Sequence, residues 1–342
     1  MRNPSETDSR FVPLAAVERS GKVESVHHGH VVIVKNDTVW RSWGDPDVPV
    51  FTRSAIKPLQ ALAVHEAGIP QKLGCDAREL AAMSASHNGT PHHVEVVQGL
   101  LKKAGFEEED LQCGAHAPFD KPSSIAIARE GGKPQKIHNN CSGKHAGFLA
   151  LARALGASPK SYLDPKSPGQ QKILSVVAEM ADISPEDIDV GIDGCGAPTL
   201  RMPLSALAKA FFRVANPDRL SSVRSAGCRM LMDAVNLEPV TLAGEGRLCT
   251  ALLRSTPGRF YPKNGAEGVY AIGVCGSDGE GLGIAIKVSC GHERGYIPVV
   301  VDLLQRLGVW DEVPPTLADF HEMPVYNTQK LLVGAVRSVL PS

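Results

Sequence analysis

The chain has 342 residues, 43% of them hydrophobic and 21% charged, enough to bury a large core in one or two domains. Its 36 lysines and arginines balance 37 aspartates and glutamates, so no net field draws it to nucleic acid, anionic membranes or other polyanions. A small molecule is the expected partner.

The opening stretch "MRNPSETDSRFVPLAAVERSG" mixes acids with prolines and lacks the apolar run of a signal peptide, while the most apolar segments, such as "VVIV", are strand-sized. A cytoplasmic protein without membrane spans is expected. The eight cysteines (Cys75, Cys113, Cys141, Cys195, Cys228, Cys249, Cys275, Cys290) are then expected to be thiols, and any that function should be metal ligands or reactive groups.

From Phe11 to Trp43 β-branched residues alternate roughly with polar ones, broken at Ser20-Gly21 and Asn36-Asp37, which predicts an antiparallel meander. From Pro58 to about Val235 helical patterns dominate: "LQALAVHEAG", "PHHVEVVQGLLKKAG", "KHAGFLALARALG", "GQQKILSVVAEMA" and "TLRMPLSALAKAFFRVA". Strands return in "GVYAIGVC" and "LGIAIKVSCG", a hairpin about the turn "GSDGEG", followed by the helix "YIPVVVDLLQRLG". The fold class implied is α+β, an antiparallel sheet assembled from the N- and C-terminal segments with flanking helices and a mostly helical middle region. We read residues 1–342 as a single catalytic unit, with 10–57 and 240–342 forming the sheet-containing part and 58–239 the helical part. A site is expected in the cleft between them.

Within "FTRSAIKPLQ", Ser54 and Lys57 stand three apart, a spacing that puts two side chains on one helix face. A serine hydroxyl needs an adjacent acceptor to become a nucleophile, and a desolvated, neutral lysine can serve. The competing reading is a helix cap, with Pro58 marking the first turn and biasing Lys57 away from helical angles. Two further motifs weigh against it. Ser54 is the only serine with lysine three residues on, and Ser86-His87-Asn88 is the only Ser-x-Asn. Lys263-Asn264-Gly265 then precedes the hairpin. This element order is that of the penicilloyl-serine enzymes and class A β-lactamases, which makes serine acyl transfer to an amide the leading reaction class. Lys263 near Ser86 would hold that serine, and its charge would lower the pKa of Lys57.

"HNNCSGKHAGFLALARALG" offers Cys141, Lys144 and His145, and the glycine-rich "GIDGCGAPT" offers Asp193 and Cys195. Two soft thiols plus a nitrogen suit tetrahedral zinc with one open position. Chemistry alone favours His145 as the nitrogen donor, since a charged lysine has no lone pair, although a metal can bind the neutral amine of Lys144 by releasing its proton. The competing reading is two buried cysteines beside a permissive turn. "VHHGH" (His27, His28, His30) reads as polar strand or turn, and His92-His93 as a helix start.

Together "TRSAIKPLQAL", "SASHNGTPHHV", "NNCSGKHAGFL", "DGCGAPT" and "KNGAEGVYAIG" resemble the Rhizobium etli type (class 3, asparaginase II family) L-asparaginases, over most of the chain from about Arg10 to beyond Gly291. The resemblance implies a serine β-lactamase/penicillin-binding-protein-like fold, shared with glutaminases, and hydrolysis of L-asparagine to L-aspartate and ammonia. It also implies Ser54 as nucleophile with Lys57 as its base, and Ser86 with Lys263 as a second Ser-Lys pair, Ser84 being a weaker candidate. Zn2+ falls to Cys141, Lys144 and Cys195, displacing His145 from that role. Asp193 would hold the substrate amine or a water, with Arg53, His145, Asn88 and Glu245 as further substrate-binding residues. A homodimer is implied as well. The alternatives are a glutaminase, β-lactamase or esterase of the same Ser-x-x-Lys scaffold, since one methylene is worth only roughly 1–3 kcal/mol in a pocket, or a non-catalytic zinc- or amino-acid-binding protein.

Overall fold

Two tight turns set the register of the N-terminal sheet. Ser20 and Gly21, then Asn36 and Asp37, all adopt positive φ, the backbone of two-residue hairpin loops whose twist matches the flanking strands. They join β1 (Val12–Arg19), β2 (Lys22–Lys35) and β3 (Thr38–Trp43), with Arg19 opposite Lys22 and Lys35 opposite Thr38. The computed structural model describes residues 11–276 and 281–342.

Further along lie β4 (Pro49–Phe51), β5 (Asp189–Ile192), β6 (Pro198–Pro203), β7 (Phe260–Gly265), β8 (Val269–Val274), β9 (Leu282–Val288), β10 (Glu322–Tyr326) and β11 (Leu332–Ser338). The main sheet runs β10-β11-β1-β2-β9-β8-β7, with β3 also paired to β2. Every recorded pairing in it is antiparallel. Strands from the two chain ends thus share one sheet, as the α+β reading expected. The β8-β9 hairpin forms as predicted; most of its "GSDGEG" turn lies outside the described residues.

The helices are α1 (Lys57–Glu66), α2 (Ile69–Leu73), α3 (Ala77–Met83), α4 (Pro91–Ala104), α5 (Lys121–Arg129), α6 (Ser142–Ala154), α7 (Pro168–Ala181), α8 (Leu204–Ala215), α9 (Ser222–Leu237), α10 (Pro239–Leu242), α11 (Leu248–Ser255), α12 (Ile297–Arg306) and α13 (Ala318–His321). Two differences from the sequence reading stand out. "TLRMPLSALAKAFFRVA" is not one helix, because its first residues belong to β6 and helix α8 begins only after Pro203. Proline removes a backbone donor and fixes φ, which suits an end of a strand and a start of a helix. The helical middle therefore carries a second sheet, β4-β6-β5. Lys57, in turn, is helical (φ −56°, ψ −34°) despite Pro58.

α1 is apolar on nearly all sides, and residues 57–65 are all buried; a helix without a polar face belongs inside the core. It packs against α6, α7 and α9. α8 lies directly on β8 and β9 at glycines: a Cβ on Gly283 would stand 2.0 Å from the Ala208 carbonyl oxygen, and one on Gly273 would stand 2.4 Å from that of Phe211. One cluster of buried apolar side chains joins sheet and helices, from Leu14 through Leu59 and Phe211 to Val336. No helix among the described residues is long and apolar enough to cross a membrane.

Candidate active site

Between β4 and α1 the chain makes a tight 3-10 turn, Arg53–Ile56, entered through Arg53 at φ +48°. A non-glycine residue in that region is strained and needs surrounding support. Arg53 Nε donates to Asp193 Oδ1 at 2.8 Å, and the edge strand β7 backs onto the turn so closely that a Cβ on Gly265 would lie 2.9 Å from the Thr52 carbonyl oxygen. Ser54 is thereby presented on the wall of a cavity of about 380 Å³, together with Ser86, Asn140, Arg247, Asn264 and Tyr296. Its Oγ makes no hydrogen bond among the described residues.

The spacing argument paired Lys57 with Ser54, but the structure sends Lys57 elsewhere. Its Nζ donates to the Ala85 carbonyl at 2.5 Å, to Ser86 Oγ at 3.0 Å and to the Asn140 carbonyl at 3.4 Å. From the other side Lys263 Nζ contacts Ser86 Oγ at 2.8 Å and the Asn264 carbonyl at 2.8 Å. Ser86 is thus clamped between two lysines that are each no more than 1% exposed. Burial pulls Lys263 well below the usual lysine value and the charge of Lys57 adds to this; Lys57 is lowered too, again chiefly by burial. Two adjacent buried cations are costly, so each lysine opposes protonation of the other.

At the start of α6, Asn139 Oδ1 accepts the Cys141 N–H at 2.9 Å, and Asn139 Nδ2 ties the turn to the Cys113 carbonyl at 2.8 Å. The Asp193–Ala197 loop brings Cys195 against this turn; Gly196 (φ +79°) donates its N–H to the Asp193 carbonyl. Lys144 Nζ lies 3.1 Å from Cys195 Sγ. Contact with the Cys195 thiol, together with the charges of Lys57 and Lys144, pulls Cys141 well below the ordinary thiol value, while Cys141 and burial push Cys195 up. Burial lowers Lys144, but Cys141 and Cys195 outweigh it and raise it above the ordinary lysine value.

Among the described residues no three His, Cys, Asp or Glu side chains converge as a metal centre. Cys141 and Cys195 offer two soft donors, and the Lys144 amine lies beside Cys195. Two buried thiols with an amine beside one of them fit a soft tetrahedral cation with one open position. His145 forms no such group with the two cysteines: its Nδ1 meets Tyr162 Oη at 2.7 Å, Tyr162 Oη also accepts the Gln112 N–H, and its buried Nε2 has no hydrogen-bond partner among the described residues.

Other expected residues are distributed unevenly. Asp193 is held below the ordinary carboxylate value because Lys144, the Gly194 N–H and Arg53 outweigh its burial. Asn88 is buried, with Nδ2 3.5 Å from the Glu245 carbonyl, and does not line the cavity. Glu245 turns outward into a bidentate pair with Arg254 and does not line it either. Ser84 is buried beneath β7, accepting from Tyr261 Oη at 2.8 Å. The sequence reading missed Asn140, Asn264, Arg247 and Tyr296. The asparagines flank motif residues and could have been read from them; nothing in the local pattern marks the other two.

A profile of the family described as L-asparaginase II matches residues 15–338. The chain belongs to the L-asparaginase II family. That membership supports an asparaginase-type amidohydrolase acting on a small molecule. No curated protein matches the chain. Among solved structures the asparaginase II chain is similar to a β-lactamase from Francisella tularensis, with 13% identity over 77% of this chain and 84% of that one at a TM-score of 0.37. It is similar also to a Mycobacterium bovis β-lactamase (14% identity, 82% and 94% covered, TM-score 0.42) and to a Bacillus glutaminase (14% identity, 78% and 85% covered, TM-score 0.35).

Proposed function

We propose that this chain is an L-asparaginase of the Rhizobium etli type, hydrolysing L-asparagine to L-aspartate and ammonia by Ser-Lys covalent catalysis in a cytoplasmic homodimer. The observation that carries the reading is the Ser86 hydroxyl held between two buried lysines beside Ser54, on the wall of one polar cavity.

Ser54 Oγ attacks the side-chain carbonyl carbon of asparagine, and its proton passes into the network of Lys57, Ser86 and Lys263. The tetrahedral oxyanion collapses, the C–N bond breaks, and the same network returns the proton to the departing nitrogen, which leaves as ammonia. Water then attacks the β-aspartyl ester, gives a proton to the network, and Ser54 recovers its own as aspartate departs. Desolvation is what suits the lysines to this work, because a lysine at its ordinary pKa carries no lone pair at neutral pH.

Cys141, Lys144 and Cys195 would hold Zn2+. Bound there, zinc would supply a fixed positive charge that favours ionised thiols and a neutral Lys144 amine. Asp193 and Arg53 meanwhile brace the Ser54 turn. The test is ammonia release from L-asparagine and L-glutamine by the purified protein, alongside metal analysis. Ser54→Ala should abolish release while the thermal unfolding midpoint stays put, and about one zinc per chain should copurify. Near-normal turnover by Ser54→Ala sinks the nucleophile assignment; a preference for L-glutamine sinks the substrate, and metal-free active protein sinks the zinc.

A further inference from the structure

Two formal charges of opposite sign line the cavity without partners among the described residues. Arg247 immediately precedes α11, is half-buried, and lines both the main cavity and a recess of about 110 Å³ that continues it past Asn264. Its guanidinium makes no hydrogen bond or ion pair among the described residues. Glu293 lines the same two spaces, and its carboxylate is likewise unpaired among the described residues. The remaining charges nearby are committed: Arg53 to Asp193, Glu267 at 3.9 Å from Arg53, Lys57 and Lys263 to Ser86.

A half-buried guanidinium loses hydration and has five donors to satisfy, so a wall position without a carboxylate partner is unfavourable unless a ligand completes it. Half-buried Arg247 and exposed Glu293 share a wall without pairing with each other, and so offer opposite charges to a zwitterion. The guanidinium is also within electrostatic reach of the reacting groups. Behind burial and Lys57, its charge is one of the influences that lower Lys263.

We propose that Arg247 binds the α-carboxylate of the substrate, with Glu293 facing its ammonium, so that the site admits free amino acids and rejects amides carried within a peptide chain. In a peptide that carboxylate has become a neutral amide, and the half-buried Arg247 would be left without its partner. The name of the substrate class rests on the asparaginase reading; the binding role of Arg247 does not.

Calorimetric binding separates the two. The probes are L-aspartate, succinamate (asparagine without its amine) and 3-aminopropanamide (asparagine without its carboxylate), titrated into the full-chain protein and into Arg247→Met and Arg247→Lys. Losing a charge-assisted carboxylate contact should weaken L-aspartate and succinamate about tenfold or more in Arg247→Met. Arg247→Lys should recover part of this, and 3-aminopropanamide should change less than about twofold. The role is overturned if Arg247→Met binds L-aspartate unchanged, if all three probes weaken alike, or if the wild-type protein binds neither carboxylate. In parallel, ammonia release from L-asparagine tests the hydrolase reading, and its absence beside intact Arg247-dependent binding removes the reaction while leaving the binding role standing.

Discussion

Ser86 Oγ stands 3.0 Å from Lys57 Nζ and 2.8 Å from Lys263 Nζ, and a hydroxyl so placed can pass a proton to whichever lysine has a free lone pair. Lys263 is the better acceptor, since burial and the neighbouring charge of Lys57 both lower it. Below its folded pKa it is protonated and cannot accept, so kcat/KM should fall with acidification through a limb lying below the ordinary lysine value of 10.5. Lys263→Arg keeps charge and donors but cannot lose a proton. It should cost about 10²–10⁴-fold in kcat/KM, with no recovery at high pH; a profile that keeps its limb would show that another group sets it. The spacing Ser54-x-x-Lys57 singled out both residues but did not show which partners the lysine takes. Lys57 follows Ser54 by one 3-10 turn, its N–H bonded to the Ser54 carbonyl, so both side chains leave the same side of the turn, and yet the ammonium bonds elsewhere. The ammonium's direction is set by the Ala85 carbonyl and Ser86, some thirty residues away. Only tertiary packing supplies that partner.

Hydrophobic periodicity made the long elements legible: the β1-β2-β3 meander with its two positive-φ turns, the β8-β9 hairpin, and α4, α6, α7 and α12 all lie where the sequence pattern puts them. What stayed hidden were short or half-exposed strands. β5 has four residues, none fully buried, and β4 has three, too few to show a period. β10 and β11 carry only weak alternation for the same reason, being mostly half-buried or exposed. The close approach of α8 to the sheet was equally invisible, because a glycine in a strand does not say which neighbour it admits. Its consequence is testable by one substitution made in two elements. Gly283→Ala thrusts a methyl 2.0 Å from the Ala208 carbonyl oxygen and should destabilise by about 1–3 kcal/mol, by overpacking that only backbone movement can relieve. Gly99→Ala, in the interior of α4 with 3.6 Å to the nearest side-chain atom, should instead stabilise by roughly 0.5–1 kcal/mol through helix propensity. Urea midpoints that move in the same direction for both would refute the packing account.

A single apolar cluster running through sheet and helices implies that strain applied in the helical middle must be felt by the sheet. His93 provides such a strain on demand. It lies in the first turn of α4, where Nδ1 accepts from Thr90 and Nε2 donates to the Val240 carbonyl at 3.0 Å, so the ring is held neutral. Burial lowers its pKa from 6.5 to about 4. The unfolded chain therefore binds a proton that the folded one refuses. The stability this histidine contributes is complete above pH 6.5 and is lost as pH falls toward 4; at pH 5 the loss is about 2 kcal/mol. Buried His87 and His145, both lowered well below the ordinary value by desolvation, act in the same direction. All three tryptophans, Trp40, Trp43 and Trp310, belong to the sheet side of the chain, whereas far-ultraviolet dichroism reports mainly the helices. If the chain unfolds as one cooperative unit, urea curves by fluorescence and by dichroism should superimpose at pH 7, shift together to lower urea at pH 5, and shift less in His93→Gln by either signal. A fluorescence curve that holds still while the dichroism curve moves would mean that the sheet and the helical middle unfold independently, and that the shared core does not couple them.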